Sequence, residues 1–289
     1  MRRLLIVGCG DVALRAIPLL TRRYRVFALV RNPAYCNSLR ALGVLPILGD
    51  LAGRASLSRI IGIADTVLHF APPPNVGMRD THTHNLLSAL SQGVLPRRLV
   101  YISTSGVYGD CKGAWVSETH TLNSTSPRSQ RRVDAEQQIR DWARRNRVNA
   151  SILRVPGIYA VDRLPISRLQ QGTPGIIASE DSYTNHIHAD DLARISAAAL
   201  RHGKSCRVYH ASDDSHLKMG EYFDLVADAY KLPRVPRISR AEAQDVLSET
   251  LLSFMNESRR LTNQRMKGEL KVRLRYPTVA DMLAATGYF

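Results

Sequence analysis

Lysine is scarce in this chain of 289 residues: six stand against 34 arginines, with 25 acidic residues beside them. Cysteine is scarce too, and Cys9, Cys36, Cys111 and Cys206 are scattered with no Cys-x-x-Cys pair. That spacing argues against a zinc site or a disulfide framework, so no metal is expected and the thiols read as reduced. Long apolar runs are missing. None nears the ~18 to 20 residues of a membrane helix, and Leu4 to Val7 stops at Gly8, short of the ~7 to 15 residues of a signal-peptide core. The expectation is a cytoplasmic protein without a membrane partner. Internal repeats, linkers and low-complexity segments are also absent.

A formal charge of +15 suits an anionic partner, because guanidinium forks match phosphate and carboxylate. The arginine pairs, among them Arg22-Arg23, Arg131-Arg132 and Arg259-Arg260, are spread over the whole chain without interleaved aromatics. That pattern reads as solvated faces and does not point to nucleic acid. A small-molecule substrate is the expected partner.

The first 155 residues alternate short apolar runs with helical stretches, the rhythm of βαβ units. Strands are expected at Leu4–Val7, Arg25–Val30, Val44–Leu48, Thr66–Phe70, Leu99–Ser103 and Ala150–Arg154. Helices are expected at Val12–Arg22, Ala34–Leu42, Ser56–Ile60, Arg79–Gln92 and Arg128–Asn146. Later come a helix over Asp190–His202 and a strand over Arg207–His210. Ser239 and Glu242 form a capping box that should open a helix running to Met255. The fold class is α/β, a doubly wound parallel sheet of Rossmann type with a smaller, mainly helical C-terminal substrate region. The dinucleotide-binding part is assigned to residues 1–155 and 183–212, the substrate part to 156–182 and 213–289.

Gly8-Cys9-Gly10-Asp11-Val12-Ala13 follows the first strand and opens the first helix, which is G-x-G-x-x-A in its proper context. Gly8 permits the turn, Gly10 lets backbone approach a pyrophosphate, and Ala13 lets the helix pack close. The amides at the helix start, at Asp11 and Val12, would face the phosphates. At the end of the second strand, where NAD sites place a carboxylate, stand Arg31 and Asn32. Arg31 can pair with a ribose 2'-phosphate, which favours NADP over NAD; stacking on adenine or plain exposure is the alternative. Asp50 is suited to the adenine edge, or to a simple Gly-Asp turn.

Ser103-Thr104-Ser105-Gly106-Val107-Tyr108-Gly109 resembles an element of the extended short-chain dehydrogenase/reductases, the NAD-dependent epimerase/dehydratase family. Three more elements follow in family order: Leu153 to Tyr159, Asn185 to Ala193 and Tyr209 to Asp214. The resemblance covers nearly the whole chain and implies that Thr104 orients the substrate's hydroxyl or carbonyl. It also implies a Tyr-x-x-x-Lys pair on the next helix, in which tyrosinate moves a proton and lysine holds the nicotinamide ribose. Aligned by Pro127 and by Ala135-Glu136, those positions hold Arg128 and Arg132. Arginine cannot serve as the acid, since its pKa exceeds ~12. The glycine loop also departs from the family's usual G-x-x-G-x-x-G, so the chain looks like an atypical, YeeZ-like member.

Tyr108 is the candidate replacement acid if it points into the cleft; packing behind strand five is the alternative. Arg128 and His186 are candidate substrate contacts, and Glu257 to Asn263 could line a pocket or form a solvated helix. The expected cofactor contacts also take in Leu51, Phe70, Ala71, Pro72, Ser103, Arg132 and Pro156. Together these imply an NAD(P)-dependent epimerase/dehydratase-like oxidoreductase acting on a small polar or nucleotide-linked substrate, with a homodimer as one compatible assembly. A non-catalytic NADP-binding regulatory protein is the alternative that the missing Tyr-x-x-x-Lys pair leaves open.

Overall fold

A computed structural model describes residues 1–287. Its strands are β1 (Arg2–Val7), β2 (Tyr24–Val30), β3 (Val44–Leu48), β4 (Thr66–His69), β5 (Arg98–Thr104), β6 (Trp115–Val116) and β7 (Asn149–Val155). Then follow β8 (Gly157–Tyr159), β9 (Gly175–Ile176), β10 (His186–His188), β11 (Arg207–His210), β12 (Arg237–Ile238) and β13 (Arg260–Leu261). The helices of the first half are α1 (Asp11–Leu20), α2 (Cys36–Ala41), α3 (Thr81–Leu90) and α4 (Pro127–Asn146). The second half contributes α5 (Ile166–Gln170), α6 (Ala189–His202), α7 (Met219–Ala229), α8 (Arg240–Val246), α9 (Glu249–Met255), α10 (Gln264–Leu270) and α11 (Val279–Ala285).

Seven strands make one parallel sheet in the order β11-β7-β5-β4-β1-β2-β3. The strands read as apolar on both faces because both faces are covered. In β1, Leu4 and Ile6 enter the core under α1 and α6, while Leu5 and Val7 enter the core on the opposite face, with Leu86 of α3 and Ile139 of α4. The sheet reverses direction of winding between β1 and β4, which opens a crevice at their carboxyl ends. A separate core joins Tyr159, Leu169, Tyr222, Phe223, Val226, Met282 and Leu283. Helix α10 packs instead on the sheet layer, through Met266 and Leu270.

Two expectations need correction. The segment at Ser56–Ile60 is a 3-10 helix, Arg54–Ile60. The helix that starts at Ser239 does not run to Met255: Leu247 takes an extended conformation and Ser248 caps a new helix by accepting the Leu251 amide at 3.4 Å. Ser239 itself caps α8 in the box with Glu242, as the spacing predicts.

Helix α4 carries the positions that matter most. Ser126 caps it by accepting the Ser129 amide at 3.2 Å, Pro127 fits its first turn, and Arg147 ends it in the left-handed region at φ 56°. Its buried residues Arg131, Ala135, Glu136, Ile139, Trp142 and Ala143 follow helical spacing, so the sheet-facing stripe is fixed and Arg128 and Arg132 share a neighbouring face.

Candidate functional site

The crevice between β1 and β4 is a groove of about 540 Å3. Gly8 lies there at φ +92°, and a Cβ on it would stand 2.5 Å from the Ala71 amide nitrogen. The chains come this close because the Phe70 and Ala71 amides both donate to the Val7 carbonyl, at 2.8 and 2.9 Å. Gly10 has open space around its would-be Cβ. The groove is lined by Gly8, Gly10, Arg31, Asn32, Asp50, Leu51, Ala71 and Pro72. Arg31 is exposed, and its guanidinium has no partner among the described residues. Asp50 turns one carboxylate oxygen to the Ala52 amide at 3.0 Å, and Asn32 caps the following turn by accepting the Ala34 amide at 2.9 Å. Burial pushes the Cys9 thiol up to about 12, so it is an inert wall of the groove.

A second cavity, of about 600 Å3, adjoins the first: both are lined by Pro72, Pro73, Pro74 and Asn75. Thr104, Arg128, Arg132, Pro156 and His186 all reach it, so the structure brings together the expected orienting hydroxyl, both arginines at the Tyr-x-x-x-Lys positions and the expected histidine. Arg131, Arg168 and Arg259 join them, and Glu257 is the lining carboxylate. Arg128 lies over the Phe254 ring at 3.9 Å. Burial lowers its pKa, with the neighbouring arginines adding to the effect and Glu257 opposing it. Arg168 lies over Phe223 at 4.2 Å and is pushed down to about 10 by burial, with Arg237 contributing. Arg259 is tied to the Gly109 carbonyl at 2.6 Å and to Glu257 at 2.8 Å. Arg132 donates to the Tyr101 hydroxyl at 3.0 Å and the Ile102 carbonyl at 2.7 Å. The Nε groups of Arg131, Arg168 and Arg259 are buried without a partner. A cavity with five guanidiniums and one carboxylate in its wall is built for an anion.

Other sequence-predicted residues sit elsewhere. Tyr108 does not face the cavity: it is 1% exposed, accepts from Arg154 Nη1 at 2.6 Å and meets His210 Nε2 at 2.5 Å. Burial pushes its pKa up to about 12. This corrects its reading as a replacement acid; the hydroxyl is spent on a buried network. Ser103 belongs to the same network, donating to Glu136 Oε1 at 2.7 Å, so its hydroxyl is turned from the dinucleotide groove. Arg154 completes it with two bonds to Glu136, at 3.0 and 2.7 Å. The Phe70 side chain packs on the core beside α1 and does not line the groove. The Asp11 carboxylate engages Arg15 at 2.8 Å and Arg163 at 2.9 Å, Val12 packs against the core, and neither is among the residues that line the groove.

His186 lines the cavity as a neutral ring. It stacks on Tyr222 with centroids 4.2 Å apart, and burial pushes its pKa down to about 4. His188 faces the same side, against Tyr159 and Tyr276. Sequence reasoning missed Arg131, Arg168 and Tyr222 as cavity residues. Nothing in their spacing marks them, because they come from three elements that only the fold brings together.

A family model described as the NAD dependent epimerase/dehydratase family matches residues 16–211. A dTDP-glucose 4,6-dehydratase of Mycolicibacterium smegmatis is 25% identical over 238 residues, 72% of this chain and 71% of that protein. Among solved structures, a functionally unknown conserved protein from Silicibacter pomeroyi is 27% identical with TM-score 0.79, covering 99% of this chain and 100% of that one. A dTDP-glucose 4,6-dehydratase from Streptomyces venezuelae with NAD bound shares the fold at TM-score 0.78 and 20% identity, covering 98% and 95%.

Proposed function

Because the chain belongs to the NAD dependent epimerase/dehydratase family, we propose that it is a dinucleotide-dependent oxidoreductase of epimerase or dehydratase type, acting on a small anionic or nucleotide-linked substrate. The observation that carries this reading is the junction of the two cavities at Pro72 to Asn75, with Thr104 in the wall of the arginine-lined one. A nicotinamide dinucleotide, when bound, supplies hydride transfer. Gly8, Gly10 and the first amides of α1 would hold its phosphates, and Asp50 and Leu51 its adenosine. Arg31, exposed and unpaired, favours a 2'-phosphate there and thus NADP. Thr104 orients the reacting hydroxyl or carbonyl. Arg128, Arg131, Arg168 and Arg259 hold the substrate's negative charge, and a nucleotide sugar, the substrate named for the dehydratase relatives, meets that requirement.

Calorimetry should show tighter binding of NADP(H) than NAD(H), with Arg31→Asp reversing the order by about tenfold, the worth of one charge-assisted contact. Equal affinities that ignore the substitution would remove Arg31 as selector. Product formation from a nucleotide-sugar panel, followed by chromatography with transient nicotinamide absorbance as the sign of hydride transfer, should depend on Thr104, and Thr104→Ala should abolish it.

A non-catalytic NADP-binding protein is the second reading. It is favoured by the absence of a tyrosine at position 128 and by the engagement of Tyr108 elsewhere. Dinucleotide binding without turnover across the panel, in the wild type and in the Arg128→Tyr, Arg132→Lys variant alike, would select it.

A further inference from the structure

Helices α1, α6 and α10 end side by side, and their last turns border an open cavity of about 360 Å3. It lies at the far end of α1 from the phosphate loop, about 15 Å along the helix axis at 1.5 Å per residue. Leu20, Tyr24, Ala198 and Val272 give it a buried apolar floor. Around that floor stand Arg22, Arg23, Arg201, Lys271 and Arg273, while no aspartate or glutamate lines it. A sixth cation, Arg194, is already held by Asp191 at 3.1 Å.

Cations often answer the partial negative charge of helix carboxyl ends. At the ends of α1 and α6 part of that need is met by other groups. The Ile17 carbonyl accepts from the Thr21 amide at 2.9 Å and the Thr21 hydroxyl at 3.1 Å, and the Ala199 carbonyl accepts from the Gly203 amide at 2.9 Å. The side chains of Arg22, Arg23, Arg201, Lys271 and Arg273 make no hydrogen bond or ion pair among the described residues. Three helix ends contribute roughly 1.5 negative charges between them, well under the five positive ones. Arg15 and Arg234, by contrast, are neutralised, the first by Asp11 and Asp190, both at 2.8 Å, and the second by Asp228 at 2.6 Å.

We propose that this cavity binds a compact oligophosphate, a small molecule carrying two or more phosphate groups. Several like charges converging on one concavity fit a ligand of high charge density, and guanidinium forks fit phosphate oxygens. The volume falls at the low end of the ~300 to 1,000 Å3 typical of small-molecule sites, which suits a compact ligand. The site is separate from the dinucleotide groove.

Inorganic tripolyphosphate is the probe, titrated calorimetrically into the full chain with NADPH present at saturation to occupy that groove. One binding event, distinct from any at the arginine-lined substrate cavity, is expected to weaken with added salt and to fall at least tenfold in the Arg22→Glu, Arg273→Glu double variant. NADPH affinity should not move in that variant. Should charge reversal disturb folding, the Arg22→Gln, Arg273→Gln variant should still weaken binding. Unchanged tripolyphosphate affinity in the folded variant, or displacement of tripolyphosphate by NADPH, overturns the proposal. A short duplex oligonucleotide that binds in a variant-sensitive way where tripolyphosphate does not would overturn it too, making the face a polymer surface.

Discussion

Two glycines two positions apart in the phosphate loop do different work. Gly8 is required by the fold, because its positive φ and the 2.5 Å approach of Ala71 leave no room for a Cβ. Gly10 has nothing within 4 Å and an ordinary φ of −80°, so the fold does not require glycine there. Gly8→Ala should therefore lower stability by several kcal/mol, about the cost of strain plus a backbone clash. Gly10→Ala should leave the melting temperature in place and weaken dinucleotide binding. Denaturant unfolding and calorimetry on the two variants separate the roles, and the opposite pattern would mean that the loop has been misread. The sequence pattern G-x-G-x-x-A names both residues without telling them apart. The difference lies in how closely β4 approaches β1, a tertiary fact that no spacing records.

At the scale of elements, α4 is held to the sheet by the buried set Ser103, Glu136, Arg154, Tyr108 and His210, contributed by β5, α4, β7, β11 and the turn after β5. This set positions Arg128 and Arg132 beside Thr104. Tyr108→Phe removes partners of Arg154 and His210 inside the core, so it should cost about 1 to 3 kcal/mol of unfolding free energy while leaving dinucleotide affinity intact. If the variant unfolds like the wild type but loses turnover at saturating substrate, Tyr108 acts in chemistry after all. Most of the sheet was legible beforehand: the main strands begin and end within one or two residues of the apolar runs, because strands covered on both faces carry the plainest signal. Helix α4 and its arginines were legible as well. The direction of the Tyr108 side chain was not, since a tyrosine following a strand reads alike whether it faces a cleft or a buried arginine. The break at Leu247 escaped for a similar reason, as Ser248 fits a helix interior and a helix cap equally well in sequence.

Across the whole molecule, buried titratable groups set how stability answers pH. Burial pushes His69 and His210 down to about 3 and His186 to about 4, and lowers His188 in the same sense. In the unfolded chain these rings titrate near ~6.5. As pH falls below that value the unfolded state takes up protons that the folded state refuses, so stability is lost toward acid, by up to ~1.4 kcal/mol per pH unit for each ring. Asp213 works in the opposite direction. It is 1% exposed, accepts the Ser215 amide at 2.9 Å, and its second carboxylate oxygen has no hydrogen bond; burial raises its pKa to about 8. Between ~4 and ~8 the folded state holds a proton that the unfolded state has released, so this contribution falls as pH rises. The two trends cancel where the unfolded histidines together hold one proton, which places the stability maximum at about pH 7. Urea unfolding from pH 5 to 8.5 should trace a dome, steep on the acid side and shallower on the alkaline side. Asp213→Asn should flatten the alkaline limb and steepen the acid limb by up to ~1.4 kcal/mol per pH unit, because the opposing slope is removed from both. An alkaline limb that survives the substitution would show that Asp213 is ionised in the folded protein, and an acid limb absent from the wild type would show that the histidines are not held neutral.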